Sequence, residues 1–233
     1  MRVILFGATG MVGQGVLREC VLDAGVSEVL APVRRAGALP AQIGDADVAA
    51  SGKVREQVVP DFYDYAAVEP EFAGYDACFF CLGVSSAGMK EAEYRHVTYD
   101  LTMAAAEALL RANAAGMTFV YVSGAGTDAQ GRMMWARVKG ATENALLEMG
   151  FKAAYMFRPG GIVPLDGVRS KTALYQAVYS GLKPALPLLL RMFPRQLTTT
   201  EQVGRAMLAV ARRGYPKRVL EPEDIVSAGQ AAA

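Results

Sequence analysis

The sequence predicts an α/β fold in which helices cover both faces of a mainly parallel sheet. Short apolar runs alternate with longer amphipathic segments along the chain, which is the pattern of repeated β-α units. These runs are nearly continuous rather than alternating, which indicates strands buried on both faces. The predicted strands are residues 2–6, 28–33, 54–59, 77–82, 117–123 and 153–157.

Helical patterns lie between several of these strands. The predicted helices are residues 11–23, 91–115 and 133–149, and each ends close to a glycine, at Gly25, Gly116 or Gly150. From Gly160 onward the β-α rhythm is lost, so we expect residues 160–215 to form a small C-terminal elaboration on the substrate side. The tail of small residues, 227–233, is expected to be frayed.

Composition indicates the size of the core and the class of ligand. The chain has 233 residues, 52% of them hydrophobic, which suits one domain over 1–233 with a large core. Its 24 basic and 23 acidic side chains give a net charge of +1, which offers no field to attract nucleic acid or an anionic membrane. A small-molecule ligand is therefore expected.

Apolar segments bear on the location of the protein. The first apolar run, residues 2–6, is too short for a secretory signal, so a cytoplasmic protein is expected. The longest apolar stretch, residues 182–193, is interrupted by charges and prolines and is far shorter than the roughly 20 residues of a transmembrane helix. It is either a helix packed on the core or a surface for a homodimer or another protein partner.

Three cysteines, Cys20, Cys78 and Cys81, cannot all pair with one another. Cys78 and Cys81 match C-x-x-C, but positions i and i+3 of a strand point to opposite faces of the sheet. Buried thiols are therefore favoured over a redox or metal pair, and no metal site is predicted.

The strongest chemical signal is a glycine-rich loop that joins the first predicted strand to the first helix. Its three glycines allow a tight turn, close approach of a pyrophosphate to the backbone, and close packing of helix on strand. The start of the helix then offers unpaired N–H groups and the positive end of its dipole to phosphates. This context predicts a Rossmann-type doubly wound sheet, whose cofactor contacts are Gly7, Ala8, Thr9, Gly10, Met11, Val12 and Gly13.

The end of the second strand indicates which dinucleotide is bound. A site for NAD has a carboxylate about 20 residues beyond the glycines for the ribose 2′-hydroxyl, whereas a site for NADP has a guanidinium for the 2′-phosphate. This chain has Arg34 and Arg35 there, and no acid before Asp45. Because a guanidinium makes paired charge-assisted bonds to phosphate oxygens, NADP(H) is predicted in preference to NAD(H).

The ends of the third and fourth strands supply further cofactor contacts. Ligands of open α/β sheets lie at the carboxyl edge of the strands. The expected contacts there, with the adenine and with a ribose, are Asp61, Phe62, Cys81, Leu82 and Gly83.

Several motifs together resemble the short-chain dehydrogenase/reductase superfamily, in its atypical, epimerase-like members that open with Gly-Ala-Thr-Gly. The resemblance covers residues 1–162 and, more loosely, the chain to 213. It is most similar to the branch that contains the Tat-interacting-protein oxidoreductases. The motifs that carry it are residues 7–10, 81–83, 94–100, 122–124, 138–140 and 157–160.

The resemblance implies a role for three positions. The superfamily carries its proton chemistry on a Ser after the fifth strand and on a Tyr four residues before a Lys. Ser123 matches the Ser and Lys139 the Lys, which implies catalytic roles for both and a bond from Lys139 to the nicotinamide ribose. The residue four before Lys139 is Trp135, whose indole N–H donates but does not ionise usefully, so the superfamily's acid/base is missing.

Other residues are candidates near the same edge. Tyr94, His96, Tyr99 and Asp128 are possible proton donors, and nothing in their spacing separates them. The resemblance also implies that Arg158, Pro159 and Gly160 form the turn beside the nicotinamide. The predicted substrate pocket comprises Trp135, Tyr94 and Arg169, with Lys171 and Tyr175 as further possibilities.

Three functions are compatible with these residues. The first is an NADPH-dependent reductase that transfers hydride to a conjugated acceptor such as a quinone or a flavin, which does not require the phenol. The second is an NADP(H)-sensing regulatory protein with little or no turnover. The third, a nucleotide-sugar epimerase or dehydratase, depends more heavily on the missing phenol.

Overall fold

A computed structural model describes residues 1–113, 116–164 and 197–230, and it places a parallel sheet at the centre of the molecule. Every strand pair in this sheet is parallel. Within the described residues the sheet has seven strands: β1 (Arg2–Phe6), β2 (Glu28–Val33), β5 (Val54–Val58), β6 (Ala77–Phe80), β7 (Thr118–Val122), β8 (Ala153–Phe157) and β11 (Val219–Leu220). Their order, β5-β2-β1-β6-β7-β8-β11, confirms the predicted doubly wound α/β fold.

Short strands and helices complete the described part of the chain. β3 (Gln42–Ile43) pairs antiparallel with β4 (Ala46–Asp47), and β9 (Gly161–Val163) pairs parallel with β10 (Leu197–Thr199). The helices are α1 (Met11–Leu22), α2 (Glu91–Arg95), α3 (Leu101–Asn113), α4 (Met134–Glu148), α5 (Thr200–Arg213) and α6 (Pro222–Gln230). No helix among the described residues has the length and apolar character needed to cross a bilayer.

The two faces of the sheet are covered by different sets of helices. On one face, α1, α5 and α6 pack on residues such as Val3, Leu5 and Phe79. On the other face, α3 and α4 enclose a cluster rich in aromatic rings, which includes Phe6, Phe80 and others. Adjacent strand positions alternate between these clusters, so each central strand is buried on both sides and reads as a continuous apolar run.

The edge strand β5 differs from this expectation. None of its residues is fully buried, although the continuous apolar pattern predicted burial on both faces. Among the described strands β5 pairs with β2 alone, and an edge position tolerates its polar residues Arg55, Glu56 and Gln57.

The C-terminal part of the chain is also more regular than predicted. α5 begins at a capping box formed by Thr199 and Gln202 and packs against α1, so residues 200–213 belong to the helical layer on this face of the sheet. The predicted frayed tail is wrong for residues 227–230, because α6 extends to Gln230 and buries Ala228. Arg169, Lys171, Tyr175 and the apolar segment 182–193 lie outside the described residues.

The predicted helix 91–115 is interrupted. Between α2 and α3 the residues His96–Asp100 form a π-helical turn, and Thr102 Oγ1 donates back to Thr98 O at 2.5 Å. A π-helical turn adds a residue to the winding and is frequent beside functional sites. Tyr94, in the short helix just before this turn, is buried.

Glycines allow α1 and α5 to approach closely. A Cβ on Gly15 of α1 would lie 2.4 Å from Thr200 Cβ, and a Cβ on Gly204 of α5 would lie 2.6 Å from Glu19 Cγ. The contact joins the first helix of the chain to one near its end, and it holds the C-terminal segment on the sheet.

We predict that Gly15→Ala lowers the free energy of unfolding by about 1–3 kcal/mol, because the added methyl forces the two helices apart. Urea unfolding followed by circular dichroism measures the change. Gly116→Ala is the control, since a Cβ there meets no atom within 4 Å, and it should not destabilise the fold. Equal stability of Gly15→Ala and wild type would contradict this account of the contact.

Candidate functional site

A cleft lies at the carboxyl ends of β1 and β6, where the sheet order reverses direction. From β1 the chain goes next to β2 on one side and later to β6 on the other, so the connecting helices leave in opposite directions and open a crevice. The cleft has a volume of about 580 Å³. Its lining residues are Gly10, Met11, Val12, Cys81, Leu82, Gly83, Val84, Ser85, Ser86, Tyr94, Val122, Ser123, Gly124, Trp135, Lys139, Pro159, Gly160 and Ile162.

The glycine-rich loop forms one end of this cleft. Gly7 has φ +80°, and a Cβ there would lie 2.7 Å from the backbone of Cys81 and Leu82. A Cβ on Gly13 would lie 2.0 Å from Gly7 O, so the start of α1 rests directly on the end of β1. Gly10 caps α1 without a side-chain bond, which leaves the first turn of the helix open toward the cleft.

The other predicted loop residues divide by burial. Met11 and Val12 line the cleft beside Gly10, whereas the side chain of Ala8 is buried in the core. Thr9 O accepts from Gln14 Nε2 at 3.1 Å, a bond that fixes the loop against α1. Any contact of Ala8 with a cofactor therefore falls to its backbone.

Arg34 and Arg35 are exposed in the loop that follows β2. Among the described residues neither forms an ion pair with a carboxylate, in contrast to Arg158, which contacts two. The Arg34 guanidinium lies 5.8 Å from the centre of the Phe62 ring. Two exposed guanidiniums without an acidic partner are chemically suited to an anionic ligand.

Asp61 and Phe62 follow β5 close to Arg34. The Phe62 ring is buried and packs edge-to-face on Phe6 at 6.2 Å, so its main role is in the aromatic cluster. Asp61 is exposed, and its carboxylate accepts from Tyr63 N at 2.9 Å. Cys81, Leu82 and Gly83 line the cleft as predicted, and a Cβ on Gly83 would meet nothing within 4 Å.

Ser123 is placed differently from its predicted catalytic role. It lines the cleft, but its hydroxyl is buried and donates to Glu143 Oε1 at 2.5 Å. Glu143 also accepts from Arg158, with Nη2 to Oε2 at 2.5 Å, and Arg158 Nη1 reaches Glu221 at 3.1 Å. The hydroxyl is therefore committed to an internal network and is not presented to a substrate.

Glu143 was not identified from the sequence, although it is the hub of this network. It is 2% exposed and lies four residues after Lys139, which in turn lies four after Trp135. This i, i+4, i+8 spacing on α4 could have identified Glu143 from the sequence, because it places the three side chains along one side of the helix.

Lys139 sits at the centre of the cleft, half-buried. Its Nζ donates to Ser123 O at 2.5 Å. Burial lowers the pKa of Lys139 to about 8, an effect that the nearby Glu143 carboxylate opposes. The ammonium is held against the strand end by a neutral carbonyl.

Of the four other candidate proton donors, only Tyr94 lines the cleft. It is 2% exposed, and burial raises the pKa of its phenol, so it is a poor acid. His96 stacks on Tyr63 at 4.5 Å on the exposed side of the π-helical turn. Tyr99 packs against Arg95, and Asp128 accepts from Gln130 N in a surface turn.

Trp135 lines the same cleft, at the position where the sequence lacks a phenol. The neighbouring wall is formed by Val84, Ile162 and the turn of Pro159 and Gly160, whereas the Arg158 side chain points into the buried network. Lys139 is the only charged side chain among the described residues that line the cleft.

Known proteins with similar sequences support the expected branch. No protein-family model matches the chain. Protein FMP52 of Eremothecium gossypii is 30% identical over 162 residues, 69% of this chain and 66% of that protein. Protein HTATIP2 of Rattus norvegicus is 29% identical over 159 residues, 68% and 61% of the two chains. These similarities support the resemblance of this chain to the atypical short-chain dehydrogenase/reductase superfamily.

Solved structures agree on the fold. An oxidoreductase of the short-chain dehydrogenase/reductase family from Burkholderia thailandensis has a TM-score of 0.66 at 20% identity, over 97% of this chain and 92% of that one. A nucleoside-diphosphate-sugar epimerase from Staphylococcus aureus has a TM-score of 0.62 at 17% identity, over 94% and 70%.

The relatives also correct one prediction. Protein FMP52-1 of Scheffersomyces stipitis, 29% identical over 163 residues, is named as mitochondrial, as is the protein from Eremothecium gossypii. The expected cytoplasmic location is therefore wrong by this comparison. The chain spans slightly less than two thirds of the length of FMP52-1, FMP52 and HTATIP2.

The lowered pKa of Lys139 gives the folded protein a predictable dependence on pH. Its pKa is about 8 in the folded state and near the ordinary 10.5 in the unfolded chain. Between these values the unfolded state holds a proton that the folded state has released, so raising the pH stabilises the fold. Below pH 8 both states hold the proton, and this contribution is constant.

We therefore expect the stability of wild type, relative to Lys139→Met, to rise as the pH increases from about 8 toward 10.5. Urea unfolding of both proteins at intervals across this range measures the difference, and other titrating groups cancel in it. A constant difference between the two proteins would show that Lys139 titrates normally.

Proposed function

We propose that this protein is an NADP(H)-dependent reductase that transfers hydride to a small, planar, largely apolar acceptor. The proposal depends mainly on Arg34 and Arg35. Both are exposed and lack carboxylate partners in the described structure, and they follow β2, the neighbour of the strand that leads into the glycine-rich loop. This pair suits a 2′-phosphate, and the open first turn of α1 suits the diphosphate.

The remaining cleft suits the nicotinamide end and the acceptor. When bound, a reduced nicotinamide supplies a hydride, which carries two electrons. Lys139 is available for the ribose hydroxyls, and the turn of Pro159 and Gly160 for the carboxamide. Trp135, Val84 and Ile162 offer a flat and apolar wall to the acceptor.

The proton side of the reaction determines the kind of acceptor. Reduction of a simple ketone requires a proton donor at the oxygen, but Trp135 does not ionise, the Ser123 hydroxyl is committed to Glu143, and Tyr94 is a poor acid. A quinone or flavin-like ring accepts hydride and delocalises the negative charge. Water then supplies the one proton that completes the two-electron reduction.

We predict that Arg34→Ala or Arg35→Ala raises the Kd for NADPH about 10- to 100-fold and leaves that for NADH within about twofold, because each removes charge-assisted bonds to the 2′-phosphate. Trp135 is the only tryptophan and lines the cleft, so its fluorescence reports binding. Lys152→Ala, which removes one exposed charge at the amino end of β8, is the matched control. Equal affinity of wild type for NADPH and NADH would overturn the proposed preference.

Turnover is tested by following NADPH oxidation with a series of quinones and with ketones of similar size. We expect oxidation of NADPH with quinones and none with ketones, because a ketone needs a proton donor in place of the missing phenol. Reduction of ketones at comparable rates would show that the cleft holds an acid other than those described here.

A second function is favoured by the same lack of a phenol at position 135, which is occupied by Trp135. A sensor of NADP(H) would bind the oxidised and the reduced cofactor with different affinities, and this binding would change its affinity for a protein partner. It would not oxidise NADPH, whichever acceptor is offered. Saturable binding of NADPH without oxidation by any quinone in the series would favour this sensor over the reductase.

A further inference from the structure

The loop that carries Arg34 and Arg35 is bonded to one side chain of β5, the strand that pairs with β2. Glu56 lies on β5, opposite Ala31 of β2 in the sheet. Its Oε2 accepts the N–H of Gly37 at 2.6 Å, and its Oε1 accepts the N–H of Leu39 at 2.8 Å. Both carboxylate oxygens are thus bonded to the backbone of the loop.

A glutamate close to two arginines would be expected to form an ion pair with one of them, and Glu56 does not. An ion pair with Arg34 or Arg35 would neutralise a guanidinium, yet in the described structure Glu56 bonds to backbone N–H groups and to neither arginine. Such bonds satisfy a carboxylate well, since an anion is a stronger acceptor than a neutral group. The arginines therefore keep their full capacity to bind an anion.

The path of the loop is fixed at the same points. Leu39 packs against the core cluster beneath α1, while Gly37 has φ +70°, a conformation that glycine adopts without strain. Residues 34–36 are therefore held between the end of β2 and two anchored positions only a few residues later.

We propose that Glu56 is a positioning residue that sets the cofactor preference, because it holds the loop so that Arg34 and Arg35 meet the 2′-phosphate. The inference rests on the proposed function, in which these arginines bind NADP(H). Glu56 itself would not contact the cofactor.

Two explanations of Glu56 predict effects of opposite sign. If Glu56 acted only through its charge, its removal would relieve repulsion of the 2′-phosphate and tighten NADPH binding. If it positions the loop, its removal must weaken NADPH binding although a negative charge has been lost.

The test compares Glu56→Gln and Glu56→Ala with wild type by titration of NADPH and NADH against Trp135 fluorescence. We expect Glu56→Ala to raise the Kd for NADPH about tenfold, the effect of losing bonds of this kind. Glu56→Gln keeps one acceptor oxygen and should lose less. The Kd for NADH should stay within about twofold in both, which also shows that each variant is folded.

Two further variants separate the loop from its surroundings. Gly37→Ala disturbs the other anchor of the loop, because alanine rarely adopts the positive φ of Gly37. A Cβ at this position meets no atom within 4 Å, so the effect comes from the backbone and not from a clash. This variant should also weaken the binding of NADPH selectively. Glu71→Gln removes a nearby surface carboxylate that pairs with Arg55 and not with the loop, and it should leave both affinities unchanged.

Tighter or unchanged NADPH binding in the Glu56 variants, or an equal loss for NADPH and NADH, would overturn this inference. If wild type prefers NADPH, and Arg34→Ala abolishes the preference while Glu56→Ala retains it, the proposed function stands and only the role of Glu56 fails. If wild type shows no preference, both proposals fail together.

Discussion

The close approach of α1 to β1 is the constraint on which the rest of the site depends. A Cβ on Gly13 would collide with Gly7 O, and one on Gly7 would collide with the backbone after β6. Three segments can therefore meet at one point of the carboxyl edge only where side chains are absent. This contact brings the open first turn of α1 to the place where the sheet order reverses, so one packing contact forms both the glycine-rich loop and the end of the cleft.

The buried network around Glu143 organises the other half of the cleft. A carboxylate that is 2% exposed requires strong partners, and it has the Ser123 hydroxyl and the Arg158 guanidinium. The network ties the ends of β7 and β8 to α4 and so fixes the Ser123 carbonyl that receives Lys139. It also engages the Ser123 hydroxyl, which donates to Glu143.

Charge is distributed in opposite ways at the two ends of the site. At the Lys139 end, the Glu143 carboxylate is buried and paired with Arg158, and Lys139 is the only charged side chain among the described residues that line the cleft. Beyond β2, two arginines are exposed, while the carboxylate of Glu56 is satisfied by backbone N–H groups. Such a site favours a ligand with an anionic end and a neutral, planar end.

The sequence by itself determined the six long strands up to residue 157 and the helical segments between them, the glycine-rich loop, Arg34 and Arg35, and the absence of a phenol at position 135. These are local features, because turns, apolar periodicity and fixed i, i+4 spacing need few neighbours. The tertiary structure decided that Ser123 faces Glu143, that Glu56 supports the arginine loop, and that α5 and α6 complete the helical layer. Each of these contacts joins residues that are far apart in the chain. Packing and burial bring such residues together, so a local sequence pattern does not predict the contact.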